Sequence, residues 1–126
     1  MKTLSTLGAA ALTLAFLTPT AALADGPQAV STAAQHAGFA AGSADLASAR
    51  RHLHHTLNCL VGPDGEGFDA GPGNPCAAAG GAIPQTADAA AKTKLEQAAA
   101  KVRTAIASTD VEAVKKAATE TQAALK

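Results

Sequence analysis

The sequence predicts an all-α protein, an antiparallel four-helix bundle built from two helical hairpins joined by a disulfide-bridged Gly/Pro-rich loop. Three observations point there. Alanine is by far the commonest residue, and it is the strongest helix former. Residues 61–84, VGPDGEGFDAGPGNPCAAAGGAIP, are crowded with Gly and Pro and keep no periodicity, so they read as a loop between helical regions. Residues 30–60 also slide onto residues 95–125 without a gap, which suggests a hairpin used twice.

The chain of 126 residues opens on a segment set apart from the fold. Lys2 supplies a positive start, Leu4 to Leu17 is an apolar run, and Pro19 breaks it. Ala22-Leu23-Ala24 then fits the small-x-small pattern that signal peptidase cleaves, just before Asp25. Residues 1–24 are expected to be a signal peptide, and residues 25–126 a single helical domain working in the periplasm or outside the cell. The apolar run is short for a membrane span, so no stable anchor is expected after cleavage. No cysteine follows the cleavage site, which argues against a lipid anchor.

The first hairpin is expected over 28–60. Gly42 ends its first helix and Ser43 caps the second. One long helix over the same residues, with Gly38 and Gly42 as small contacts, is the competing layout. The loop occupies 61–85. In the second hairpin, 86–126, Leu95, Val102 and Ile106 recur at helical spacing until Ser108-Thr109-Asp110. Thr109 and Glu112 have the spacing of a capping box, Val111, Val114, Ala118 and Leu125 continue the apolar stripe, and Glu112 can pair with Lys116. In the internal match Ser43-Ala44-Asp45-Leu46 falls on Ser108-Thr109-Asp110-Val111, and Arg50-Arg51 on Lys115-Lys116. Thr56 falls on Thr121, and Leu60 on Leu125.

Composition removes several function classes. The formal charge is zero for the whole chain and about −1 without Lys2, so no strong field attracts nucleic acid or anionic lipid. Trp and Tyr are absent, and Phe39 and Phe68 are the only aromatic side chains after residue 24, so stacking platforms for bases are missing. Nucleic acid is not an expected partner. Large aliphatic side chains are sparse, so the helices must pack closely and an added staple is expected. Cys59 and Cys76 flank most of the loop, and in an oxidising compartment an even count of two favours a disulfide. Closing a loop of that size stabilises by ~3 kcal/mol in the chain-entropy model.

Arg50 to Cys59, RRHLHHTLNC, carries three of the four histidines. Leu46, Ala49, Leu53, Leu57 and Leu60 form one apolar stripe on the helix. His52, His55 and Cys59 form a second stripe roughly 100–160° away, and His54 lies on the other flank of the leucines. A reversal near Gly42 brings His36 of the preceding helix level with residues 50–52. His36, His52 and His55 are therefore the expected metal ligands, with water, Asp45 or a second subunit in a fourth position. Neutral imidazole suits Cu(II), Ni(II) and Zn(II), and copper leads by the Irving–Williams order. The plain alternative has these histidines lining a helix interface and bonding to Asn58, Gln35 or backbone. The second hairpin carries Lys101, Ala117, Glu120 and Ala124 where His36, His52, His55 and Cys59 stand, so the scaffold itself does not need them.

Residues 33–58, AAQHAGFAAGSADLASARRHLHHTLN, resemble the histidine-bearing helical hairpins of the bacterial small metal-binding protein family. The shared elements are His36-Ala37, the Gly42 turn and His52. The resemblance implies an exported, alanine-rich four-helix protein that binds divalent metals such as copper. That family is richer in histidine, and it lacks the cysteine-bridged loop.

Other chemistry fits less well. A b-type haem could be held by His36 with His52 or His55, but such pockets are mostly apolar and large side chains are few. Asp64, Glu66 and Asp69 are spaced somewhat like a calcium loop that lacks its closing glutamate. No nucleophile and base pair up, so an enzyme is not expected. The expected function is metal buffering or delivery. The alternative is a structural or interaction protein, as a homodimer or through its loop.

Overall fold

The computed structural model describes residues 26–126, whose regular structure is entirely helical. The helices are α1 (Gly26–Ala41), α2 (Leu46–Val61), the single turn α3 (Ala82–Gln85), α4 (Ala89–Ala107) and α5 (Val111–Ala124). The expected signal peptide, residues 1–24, lies outside the described residues. No helix among them is long and apolar enough to cross a membrane.

Residues 28–60 form a hairpin and not one long helix. Gly42 and Ser43 close α1 through amide bonds back to Gly38 and Ala40, 3.1 and 3.2 Å long. The cap of α2 differs from expectation. Asp45, not Ser43, is the N-cap, its carboxylate accepting from the Ser48 amide at 2.8 Å and the Ser48 hydroxyl at 2.9 Å. Those bonds hold the Asp45 carboxyl below the usual carboxylate range. Ser43 instead turns its hydroxyl back to the Phe39 carbonyl. A carboxylate three residues before an open amide is a stronger acceptor than a hydroxyl, and the chain takes it.

The same substitution of roles occurs at α5. Asp110, not Thr109, is the N-cap, accepting from the amides of Glu112 and Ala113, so the expected capping box does not form. Glu112 approaches Lys115 at 4.0 Å where pairing with Lys116 was expected. Asp45 and Asp110 occupy matching positions, so the two hairpins share their true caps. Their burial coincides as well. Ala33, Ala37, Ala49, Leu53 and Thr56 are buried, and so are their counterparts Ala98, Val102, Val114, Ala118 and Thr121.

Within the described residues α1 packs on α2 and α5, and α4 packs on α2 and α5. Ala29, Ala33, Ala37, Ala40 and Ala49 are fully buried, and their small side chains let the helix axes approach closely. Leu53, Leu57 and Leu60 of α2 supply the large side chains of the core, together with Val102 and Val114. Each such burial contributes about 1.5–3 kcal/mol. Arg50 donates to the Ser108 carbonyl, tying the start of α2 to the α4–α5 turn.

Cys59 and Cys76 are bridged, with Cα atoms 5.1 Å apart. The loop between them lies against α2. The chain entering the loop at Gly62 meets the chain leaving it at Gly81, beyond the bridge, backbone to backbone: Gly62 has φ +74°, and a Cβ on Gly81 would fall 2.6 Å from the Gly62 nitrogen. Only glycine suits both positions. The expected loop 61–85 ends in α3, so its last residues are helical.

Candidate metal centre

The register of the first hairpin is set by alanine packing, with the buried Thr56 hydroxyl sharing its proton between the His52 carbonyl of its own helix at 3.0 Å and the Ala33 carbonyl across the interface at 3.3 Å. One turn further along, that register brings His36 of α1 beside both His52 and His55 of α2. The His36 Nδ1 lies 3.3 Å from His52 Nδ1 and 3.3 Å from His55 Nδ1. One ligand atom from each of the three lies within 4.8 Å of the others. This is the one group of three or more His, Cys, Asp or Glu side chains among the described residues close enough to share an ion. Nitrogens bound at ~2.0–2.1 Å to one ion with a tetrahedral angle between them stand about 3.3 Å apart. The group can hold a metal ion.

Hydrogen bonding constrains the rings further. His55 Nε2 lies 2.7 Å from the Pro72 carbonyl. A carbonyl only accepts, so Nε2 carries the proton and Nδ1 presents a lone pair towards His36. A ligating histidine commonly donates its other ring N–H to a backbone carbonyl in this way. His36 Nδ1 meets two nitrogens but has a single proton or a single lone pair, so it can make one good hydrogen bond and not two. A cation among the three nitrogens would engage every lone pair at once.

All three rings are half-buried. Burial, then the charges of His55 and His52, push the His36 pKa from 6.5 down to about 4. The His52 pKa is lowered by burial, His55 and Arg51. His36 is thus neutral and ready to ligate at neutral pH. Phe39 covers one side, its ring centroid 5.4 Å from those of His36 and His52, while 48% of the residue stays exposed.

The low His36 pKa has a consequence for stability. The folded chain refuses a proton that the unfolded chain accepts, so stability is full above pH 6.5. It falls as pH drops from 6.5 towards about 4, and levels off below that from this source. Thermal melts of the metal-free protein are therefore expected to shift downwards between pH 7 and 4.5, and less so in His36→Ala. Equal shifts in both proteins would show that His36 is not the cause.

Several sequence expectations find other places. His54 stands apart from the three, its Nδ1 4.0 Å from an Asp69 carboxylate oxygen. Asp45 serves as the α2 cap and is not among the side chains grouped closely enough with the histidines to share an ion. Asn58 does not serve the histidines directly. Fully buried, it donates to the Asp69 and Gly73 carbonyls at 2.7 and 2.8 Å and accepts from the Asp69 amide at 3.0 Å. The acidic residues of the loop are likewise engaged apart: Glu66 lies 3.9 Å from Arg103, and Asp69 accepts from the Gly71 amide. Two nitrogens 3.3 Å apart also leave no room for a porphyrin between them.

The Pro72 carbonyl was beyond sequence reasoning, because backbone groups carry no residue-type signal. Asn58, an amide off the leucine stripe of α2 and three residues after His55, is the side chain that receives the loop. In the second hairpin the positions matching His36 and His55 hold Lys101 and Glu120, which form an ordinary ion pair at 2.7 Å. Identical register thus yields a salt bridge in one hairpin and an imidazole cluster in the other. No protein-family model, no curated protein and no solved structure matches this chain.

Proposed function

We propose that this chain is an exported binding protein for a divalent transition metal, held by His36, His52 and His55, which buffers or delivers the ion in the periplasm. Copper is preferred over nickel or zinc, because nitrogen ligands follow the Irving–Williams order. The observation that carries the reading is the His55 ring. Its Nε2 proton is committed to Pro72, and its Nδ1 lone pair stands 3.3 Å from His36 Nδ1. Export is supported by the leader pattern of residues 1–24 and by the Cys59–Cys76 bridge, which suits an oxidising compartment.

The helix pairings support a four-helix bundle as the scaffold, and the resemblance of residues 33–58 to small metal-binding proteins fits it. Calorimetric titration with Cu(II), Ni(II) and Zn(II) tests the reading. Wild type is expected to bind one ion per chain, copper most tightly, and the His52→Ala, His55→Ala double variant to lose that binding. Equal weak binding by both proteins would end the metal reading.

A further inference from the structure

We propose that Asn58 is a positioning residue for the metal centre: it clamps the loop so that the Pro72 carbonyl fixes His55 in the tautomer that ligates through Nδ1. The inference rests on the metal reading, and it assigns a role to a residue that touches no proposed ligand atom. Pro72 cannot hold itself in place. Its own ring nitrogen has no proton, and the surrounding segment, DAGPGNP, has little apolar area to anchor it.

Asn58 supplies the missing anchor from both sides. Its amide donates to the carbonyls of Asp69 and Gly73, and its oxygen accepts from the Asp69 amide, so the bonds bracket Pro72 in sequence. Both amide protons and the oxygen are used, and the side chain is fully buried. The position on the helix matters equally. Asn58 follows His55 by three residues, so clamp and ligand lie on neighbouring turns of α2. The segment held by the first is delivered to the second. With Pro72 in place, the proton stays on Nε2 at 2.7 Å from the carbonyl, and the Nδ1 lone pair faces His36. Without it, the two tautomers of His55 would interchange, and one of them places a proton where the ion should sit.

Gly73 closes the arrangement. Its φ of +107° turns its carbonyl to Asn58, and a Cβ there would stand 3.5 Å from His55 Nε2. The Cys59–Cys76 bridge sits next to the clamp in both strands of chain, but it holds the loop at a point beyond Pro72 and does not orient that carbonyl.

The test combines ring-nitrogen 15N NMR of the metal-free protein at neutral pH with Zn(II) titration, on wild type and Asn58→Ala. Wild type is expected to show His55 protonated at Nε2. The variant should show averaging between tautomers and an affinity for Zn(II) lower by about 10–100-fold, the usual range for loss of an outer-shell partner. A folded Asn58→Ala protein that keeps the Nε2–H tautomer overturns the proposal, whatever its affinity. So does unchanged Zn(II) affinity in the variant when wild type binds zinc and the tautomer has changed. If wild type binds no metal, the function proposed above fails, while the tautomer comparison still decides whether Asn58 positions His55. Should Asn58→Ala not fold, Asn58→Asp has the same volume, keeps an acceptor for the Asp69 amide and removes the amide donors to Asp69 and Gly73. Tautomer averaging there supports the proposal, and retention of Nε2–H overturns it.

Discussion

Replacing His36 with alanine is expected to weaken metal binding by at least about 100-fold, more than the loss of an outer-shell partner, while leaving the metal-free fold intact. His36 is the one member of the cluster supplied by α1, and its Nδ1 is within 3.3 Å of both other rings. Without it, His52 and His55 remain as a two-ligand surface on one helix. The fold should tolerate the change because His36 is half-buried and the two nitrogens that lose it as a partner, His52 Nδ1 and His55 Nδ1, belong to rings that are themselves only half-buried. The His55 proton still goes to Pro72, and Thr56 still reaches Ala33. His54→Ala is the matched control. It removes an imidazole from the same helix but from outside the cluster, so titration with copper should be unchanged. If His54→Ala weakens binding as much as His36→Ala does, copper is binding to scattered surface histidines and not at this centre.

Loss of the Cys59–Cys76 bridge is expected to lower the unfolding free energy by about 3 kcal/mol in the Cys59→Ser, Cys76→Ser protein. For a domain of this size that corresponds to a fall of roughly 12–24 °C in Tm. The effect should be large because the rest of the core is thin. Among the described residues, three leucines of one helix and two valines are its fully buried large apolar side chains, and the remainder is mostly alanine. Both cysteines are themselves buried, so serine in their place also puts hydroxyls in an apolar setting. Metal affinity should fall much less than stability, since Asn58 still holds the segment around Pro72. Urea unfolding of oxidised wild type and the double variant measures the difference. A loss below about 1 kcal/mol would mean that the Asn58 clamp and the helix packing hold the loop unaided.

The two expectations have different origins in the chain. The bridge depends on two residues and the compartment, whereas the metal centre depends on the register between two helices. A shift of α1 by one residue against α2 would rotate His36 by about 100° away from its partners. Alanine packing opposes that shift, helped by the Thr56 contact to the Ala33 carbonyl, and neither involves an imidazole.

Much of the scaffold was legible along the chain. The hairpin break at Gly42, the loop, the second hairpin and the cysteine pair follow from local chemistry: alanine propensity, Gly/Pro punctuation and an even cysteine count. The caps were misread in a consistent way. Ser43 and Thr109 have the right side chains for N-caps, but Asp45 and Asp110, each immediately before its helix, are charged acceptors for the amides the helix leaves open. The internal match had already aligned those two aspartates. Glu112 found Lys115 where Lys116 was expected, a choice that exposed side chains make at little cost.

For the candidate centre, helical periodicity was enough to put His52 and His55 on one stripe and to set His54 aside. A short turn was enough to bring His36 near their level. Such arguments use only distances along one helix or across one reversal, where 1.5 Å per residue and 100° per residue hold closely. They do not reach interactions between distant segments. That His55 should give its proton to Pro72, seventeen residues on, and that Asn58 should hold the intervening loop, depended on how the Gly/Pro-rich chain folds back on α2. Glycine-rich loops have no periodicity from which to read their path, and carbonyls look alike in every residue. Residue order was therefore sufficient to name the three imidazoles. The His55 tautomer, the spacing of the rings and the lowered basicity of His36 and His52 emerged only once burial and the long-range contacts were in place.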